Sequence, residues 1–326
     1  MPYQPSNAQV HVNRPLTNIS IAYIQSANQF VASRVAPTVS VPKASDKYFA
    51  YSRADFFRDS MQKRAYGAAS AGSGYNVDNT PTYTTTLWAL HKDIPWAIRD
   101  NADSPINMER DATLYLTQQA LIRKEKIFAA FMTTGIWTAS GSDTSPGNKW
   151  DAANSTPIKD MRAAITAVHK STGYRPNTVV VGQAVWDVLV DHGDTVDRVK
   201  YGTQNQVSTF DTSELAAILK VPNVLVMGGV ESTLAEGDVD TFDFIGQTDS
   251  GVLVAYVNPN PGIMMPSALY TFAWTGHLGA NAEGGAVSMF PMRELKSERV
   301  EIEMAIDIKQ IAADMGYFIP NVLANA

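Results

Sequence analysis

The 326-residue sequence predicts a mixed α+β fold, and three stretches carry that prediction. Residues 104–134 hold the longest uninterrupted helix signal in the chain. From Thr156 onward, helix-like and strand-like segments alternate. Residues 299–312 alternate apolar and polar side chains over five steps.

The long helix signal marks its own start. Ser104 can accept a hydrogen bond from the free N–H groups of a first turn, and Pro105 has the φ that suits the first helical position. Glu109 and Asp111 put negative charge near the N-terminus. No Gly or Pro follows until Gly135, which reads as the stop. About 29 residues rising ~1.5 Å each give a rod of roughly 43 Å. Leu114, Leu121 and Phe128 make one ridge. Leu116, Ala120, Ile127 and Phe131 make another, about 110° away. Two ridges imply a helix gripped from two directions, a spine rather than a surface cover. A long core helix of an enzyme would carry the same signal.

Residues 1–20 are polar, with three prolines and no periodicity. They read as an extended arm, either disordered or laid across a neighbouring molecule. Residues 17–34 have a cap-like Thr17 or Asn18 and apolar spacing at Ile21, Ile24 and Phe30, which predicts a short helix. The chain then turns extended through Pro37 and Pro42 to Tyr48, Phe49 and Tyr51. In residues 52–97, Arg53, Arg58, Lys63 and Arg64 alternate with Asp55, Asp59, Phe56 and Phe57. A small-residue tip follows at 67–74, then a strand-like return at 82–90. Two extended arms joined by such a tip have little core of their own and need something outside to pack on. Asp93-Ile94-Pro95-Trp96 is expected to break the return strand.

Residues 138–150 form a polar loop ending at Trp150. A helix follows with Ile158, Met161, Ile165 and Val168 inward, stopping at Gly173. Next come a buried strand (177–182), helices at 184–192 and 213–220, and a strand at 223–229. Later strands are FDFIG, GVLVAYV and LYTFAW, which together read as a mixed α/β unit. In 299–312, Val300, Ile302, Met304, Ile306 and Ile308 define one buried face opposite a wet one. Tyr317, Phe318 and Ile319 suggest a docked C-terminus.

Composition narrows the function. The chain has no cysteine, which excludes disulfides, thiolate metal sites and a cysteine nucleophile. A net charge of −6 argues against tight non-specific attraction to nucleic acid. No apolar run approaches the length of a membrane span, and the N-terminus lacks the pattern of a signal peptide. The five histidines, at 11, 91, 169, 192 and 277, form no metal-ligand spacing. Asp191, His192 and Asp194 are the nearest thing to a cluster; a metal could bind there, but a solvated helix-to-loop junction is the simpler reading. Gly72-Ser73-Gly74 lacks the rest of a dinucleotide fingerprint and reads as a loop tip. The basic-aromatic run 47–66 could stack on nucleic acid, yet its interleaved acids favour protein–protein ion pairs. Met264, Met265 and Trp274 read as core. Nothing here argues for catalysis, so no catalytic, cofactor-binding or metal site is assigned.

Three phrases carry a resemblance: VAPTVSVPKASDKYFAYSRADFFR, GVLVAYVNPNPGIMMPSALYTFAW and IDIKQIAADMGYFIPNV. With the order of segments, they resemble the major capsid proteins of tailed bacteriophages with the HK97-type fold. The resemblance implies an N-terminal arm (1–48), an extended loop (49–97) and a peripheral domain with the spine helix (98–150). It also implies an axial domain (151–290) and a peripheral return strand with the C-terminus (291–326). The implied function is a non-enzymatic shell subunit. Hexamers and pentamers would enclose double-stranded DNA in an icosahedral virion capsid assembled in the host cytoplasm. The implied partners are other copies, a separate scaffolding protein, a portal and a decoration protein, with no membrane and no cofactor. An encapsulin-like compartment resembles the same fold, and a soluble α/β enzyme would rest on the His192 cluster alone. Some relatives cross-link a loop lysine to an asparagine; Lys63 with Asn321 or Asn325 are the residues here that could do so.

Overall fold

The computed structural model describes residues 24–102, 106–133, 136–202, 210–234, 241–245, 251–262, 265–276 and 285–324. After a 3-10 turn at Ala27–Gln29 come helix α1 (Ala32–Val35) and strands β1 (Thr38–Val41), β2 (Ser45–Lys47) and β3 (Ala50–Tyr51). Helix α2 (Arg53–Phe57) precedes β4 (Val77–Asp78), β5 (Thr82–Thr84) and β6 (Thr86–Pro95). Helices α3 (Trp96–Asp100), α4 (Met108–Thr133) and α5 (Pro157–Thr172) follow, then β7 (Thr178–Gly182). Next are α6 (Gln183–Asp191), α7 (Gly193–Gly202), α8 (Thr212–Leu219), β8 (Asn223–Met227), β9 (Val230–Ser232) and β10 (Phe242–Phe244). The chain closes with β11 (Val252–Ala255), β12 (Leu269–Trp274), β13 (Gly285–Met292), β14 (Ser297–Gln310), a 3-10 turn at Ala313–Met315 and β15 (Gly316–Ile319).

Two sheets organise these elements. The first runs β15-β11-β7-β8. Its central strands are covered on both faces, which is why they read as unbroken apolar runs. Val179, Val181, Val252 and Val254 face Ile158, Met161, Ile165, Leu189 and Leu215 of α5, α6 and α8. Val180, Leu253 and Ala255 face the other way, onto Phe128, Ala129 and Met132 of α4 and onto residues 30–36. The inward residues expected for α5 are all buried, and the helix stops at Gly173 with φ +74°, a conformation glycine adopts without steric cost.

The second sheet is built around β14, which pairs with β6 over Ser297–Ile306 and with β13 over Ser297–Met304. Ile306 pairs with both Ala273 of β12 and Thr86 of β6, so β12 and β6 lie on opposite edges of β14. β1 adds in parallel to β12. The alternation in β14 is realised in part: Val300, Ile306 and Ile308 are buried and Ile302 and Met304 half-buried, but the opposite face is not wet, since Glu301, Glu303 and Asp307 are half-buried and Ala305 is buried.

Helix α4 bridges the two sheets, and its burial differs from the two ridges expected. Near its start, Ala112 and Leu116 pack on Ile94 and Val300 of the second sheet. Near its end, Phe128, Ala129 and Met132 pack on the first. The two buried faces succeed one another along the axis. Leu114 is exposed, so the Leu114–Leu121–Phe128 ridge is covered only at its C-terminal end. The start is capped by Asn107, whose Oδ1 accepts from Arg110 N at 3.0 Å. Ser104, Pro105 and Gly135, the start and stop read from sequence, lie outside the described residues.

Other expectations need correction. In the described part of 17–34, only a 3-10 turn and the four-residue α1 form. That part is no free arm either, since Phe30, Val31, Ala32, Val35 and Ala36 are core residues. Residues 1–20 lie outside the described residues. β6 does not break at Asp93. Arg299 donates to both carboxylate oxygens of Asp93 across the ladder, at 2.7 and 2.9 Å, and holds that carboxyl below its usual range. Pro95 falls at the last residue of an edge strand, where a missing N–H is tolerated. Met265 is exposed and Trp274 half-buried, while Met264 lies outside the described residues. In the sheets, β6, β12 and β13 join β14, whereas β15 returns to β11.

One buried carboxylate ties the N-terminal segment to α4. Glu125 is fully buried and accepts from Val31 N and Ala32 N, both at 2.9 Å. Burial pushes its carboxyl above the ordinary range, against the lowering effect of those two N–H groups and of Arg34 and Lys124. Glu125→Ala leaves two buried N–H groups without an acceptor, each costing about 1–3 kcal/mol, and is expected to lower the urea midpoint of the subunit accordingly. With a folded pKa above the unfolded one, the stability linked to this proton is full below the ordinary carboxylate range. It is lost as pH rises through the raised value. Wild type should therefore lose stability over that interval relative to Glu125→Gln; parallel pH profiles in urea titrations would refute the assignment.

Candidate functional site

Residues 49–81 are the part of the chain with least of its own core. Only two short ladders close them, Ser45–Lys47 with Thr82–Thr84 and Ala50–Tyr51 with Val77–Asp78. At the base, Tyr83 stacks on Phe272 with centroids 4.5 Å apart, and Tyr48 stacks on the same ring at 5.7 Å. Further out, Tyr51, Phe56 and Tyr75 form a small aromatic triangle with centroids 5.7–6.1 Å apart. Arg53 pairs with Asp314, and the Phe57 ring lies over Gly173, where an added Cβ would come within 3.2 Å of it. Beyond this root every residue from 61 to 80 is exposed. Met61 keeps 90% of its surface in water and Phe49 69%.

The loop's charges are not spent on one another. Asp55 accepts from Asn76 N and Asp59 from Met61 N, while Arg64 bonds to Ala68 O. Among the described residues Arg58 and Lys63 have no partner. Exposed aromatics, methionine and unpaired cations on a ribbon this thin form a surface suited to another protein. Gly72 and Gly74 sit in open space, as expected of a tip. Lys63 makes no contact with Asn321 among the described residues, and Asn325 lies outside them.

The other candidate, the His192 cluster, is built for structure. His192 and Ser155 are both buried, with Ser155 Oγ 2.9 Å from His192 Nε2. That distance would suit a nucleophile and its base. The tautomer does not. His192 Nδ1 accepts from Asp194 N at 3.0 Å, so Nε2 carries the proton and donates it toward Ser155 Oγ or Ala152 O. The serine is left to donate to Trp150 O. The imidazole thus gives a hydrogen bond where a general base must accept one. Nor do the flanking carboxylates converge on it: Asp191 is exposed, and Asp194 accepts from Ile158 N at 3.2 Å and Arg198 Nε at 2.9 Å, anchoring the start of α5. Among the described residues no group of His, Asp or Glu could hold a metal. His91 lies on β6 and His169 near the end of α5, both exposed; His11 and His277 lie outside the described residues.

The sequence model of the phage major capsid protein E family matches residues 138–305, just over half of the chain. The chain belongs to that family. Its function is accordingly that of a major capsid protein, a structural component of the phage virion. The major capsid protein of Burkholderia phage BcepMu is 25% identical over 323 residues, covering 95% of this chain and 96% of the relative. That of Pseudomonas phage JBD67 is 25% identical over 329 residues, covering 98% and 99%. A phage-related protein from Bordetella bronchiseptica superposes with TM-score 0.69 at 19% identity, covering 93% and 95% of the two chains. The mature capsid of bacteriophage PhiM1 gives 0.61 at 13% identity, covering 99% and 95%. The SrpI encapsulin of Synechococcus elongatus gives 0.55 at 14%, covering 96% and 95%. These solved structures show the HK97-type fold that the segment order predicted.

Sequence reading found the extended loop but missed Glu125 and its hold on residues 31 and 32. A lone acid among Arg123, Lys124 and Lys126 in the C-terminal half of the helix was its only signal. With a structural role for the pair, Ser155→Ala removes the hydroxyl's bonds to His192 and to Trp150 O, lowers stability by about 1–2 kcal/mol and leaves assembly intact. Thermal melts and light scattering of the same preparation check both parts.

Proposed function

We propose that copies of this chain assemble as hexamers and pentamers into an icosahedral shell around double-stranded DNA, each extended loop lying over a neighbouring subunit. The observation that carries the reading is the loop itself, with Phe49, Met61, Tyr66 and Tyr75 exposed and Arg58 and Lys63 unpaired among the described residues. A ribbon of this kind gains its apolar burial only from another molecule. An acidic chain suits a wall that must not hold the genome by charge, and the net charge of −6 agrees. A separate scaffolding protein, a portal and a decoration protein complete the proposed partners. Assembly is proposed in the host cytoplasm, with no membrane, cofactor or catalysed reaction.

The domain division is proposed on the same reading. The arm and extended loop precede a peripheral unit containing α4, and the axial unit is built on β15-β11-β7-β8. β6, β12 and β13 go with the peripheral unit because they hydrogen-bond to β14 or its neighbours.

Replacing residues 54–75 with a short Gly/Ser linker tests the loop. The deletion ends before β4, so it spares the ladders that close the base. We expect a subunit with a near-native melt that forms no shells by light scattering and negative-stain microscopy. Shells of normal size from this variant would sink the loop assignment. The contents of wild-type particles, nucleic acid or a protein cargo, separate a virion from an encapsulin-like compartment.

A further inference from the structure

Strand β13 ends its sheet. It pairs with β14 from Gly285↔Met304 to Met292↔Ser297, and among the described residues no strand lies along its other side. It is eight residues long and carries no charged side chain. Val287, Met289 and Phe290 are exposed at 53%, 46% and 37%. The opposite edge is different. There β6 carries His91, Lys92 and Asp93 and ends at Pro95, devices that discourage another strand from adding. β13 has only Pro291, one residue from its end. Among the described residues one edge of this sheet is guarded and the other has no strand against it.

We infer that β13 pairs antiparallel with β13 of a second copy across a local two-fold axis centred on Ser288. The absence of charge chooses the occupant. In an isologous pair each side chain on the axis meets its own copy and its neighbours meet each other. A strand such as β6 would bring like charges together, whereas β13 brings none. The register follows from the pleat. A two-fold perpendicular to the sheet keeps each face on its own side, so two opposed residues always share the same parity. Centring on Ser288 sets Val287 against Met289 of the partner subunit and Ala286 against Phe290 of the partner subunit. The small serines face each other. Centring on Met289 would instead set Val287 against Pro291 of the partner subunit and crowd two methionines at the axis. The pairing rests on the shell reading only for the supply of copies.

The chain has no cysteine, so Ser288→Cys introduces the sole thiol. Directly opposed Cβ atoms in an antiparallel pair stand about 4.5–5.5 Å apart, close enough for a disulfide after small adjustment. Mild oxidation of assembled Ser288→Cys particles should convert most of the chain to a reducible band of twice the subunit mass on a denaturing gel. Ala89→Cys, on the guarded β6 edge, should stay monomeric. A Ser288→Cys chain that stays monomeric while its thiol reacts with maleimide in the particle overturns the proposal, as does equal dimerisation of the control. A second measurement needs no variant: β13 amides should exchange at least about tenfold more slowly in wild-type particles than in free subunits, and equal rates would count against the pairing. If wild-type chain forms no particles even when co-expressed with its scaffolding protein, the shell reading fails on its own. Oxidation of concentrated Ser288→Cys subunits then tests the pairing alone, and a monomer there overturns it.

Discussion

Helix α4 is buried toward one sheet at its start and toward the other at its end, and the rest of the structure depends on that division. Ala112 and Leu116 close over Ile94 and Val300; Phe128, Ala129 and Met132 close over Val180 and Leu253. Neither sheet can bury its inner face without this rod. Residues 30–36 fill the gap between its C-terminal half and the first sheet, and Glu125 fixes them there with two backbone hydrogen bonds. A buried acid is costly unless it is hydrogen-bonded, and here the bonds define where the N-terminal segment enters the core. Helix, segment and sheet therefore form one cooperative unit in spite of their separation in sequence.

Against that core the extended loop is a contrast in economy. Its root is held by the Tyr83–Phe272 stack, the Arg53–Asp314 pair and Phe57 on Gly173, and its outer part by almost nothing. A subunit that must join others keeps apolar surface where it will be covered, and the family to which this chain belongs gives that surface a purpose. Surface edges follow the same logic: β6 carries Lys92 and Asp93 near its end, and β13 carries no charge.

The buried Ser155–His192 pair shows why distance alone does not make a catalytic site. At 2.9 Å the two atoms could serve either structure or chemistry. The Asp194 N–H on Nδ1 decides the tautomer, and with it the direction of the hydrogen bond. Asp194 in turn is held by the start of α5 and by Arg198, so the cluster locks α7 against α5.

Local pattern was enough for α5, β7, α6, α8, β8 and β14. In each, the burial that periodicity implies comes from packing one regular face or two, and side-chain spacing records it directly. The extended loop was legible for the opposite reason, since a stretch with no periodic apolar face has no core to hide in. Tertiary structure alone decided which sheet each strand joins: LYTFAW and GVLVAYV look alike as sequences, yet β12 goes to β14 and β11 to β7. It also turned the expected arm at residues 30–36 into core, and left Leu114 in water while Phe128, half the helix further on, is buried. Those outcomes depend on what lies opposite in space. Nothing within a single segment specifies its partner, so spacing determined the elements and long-range packing determined the protein.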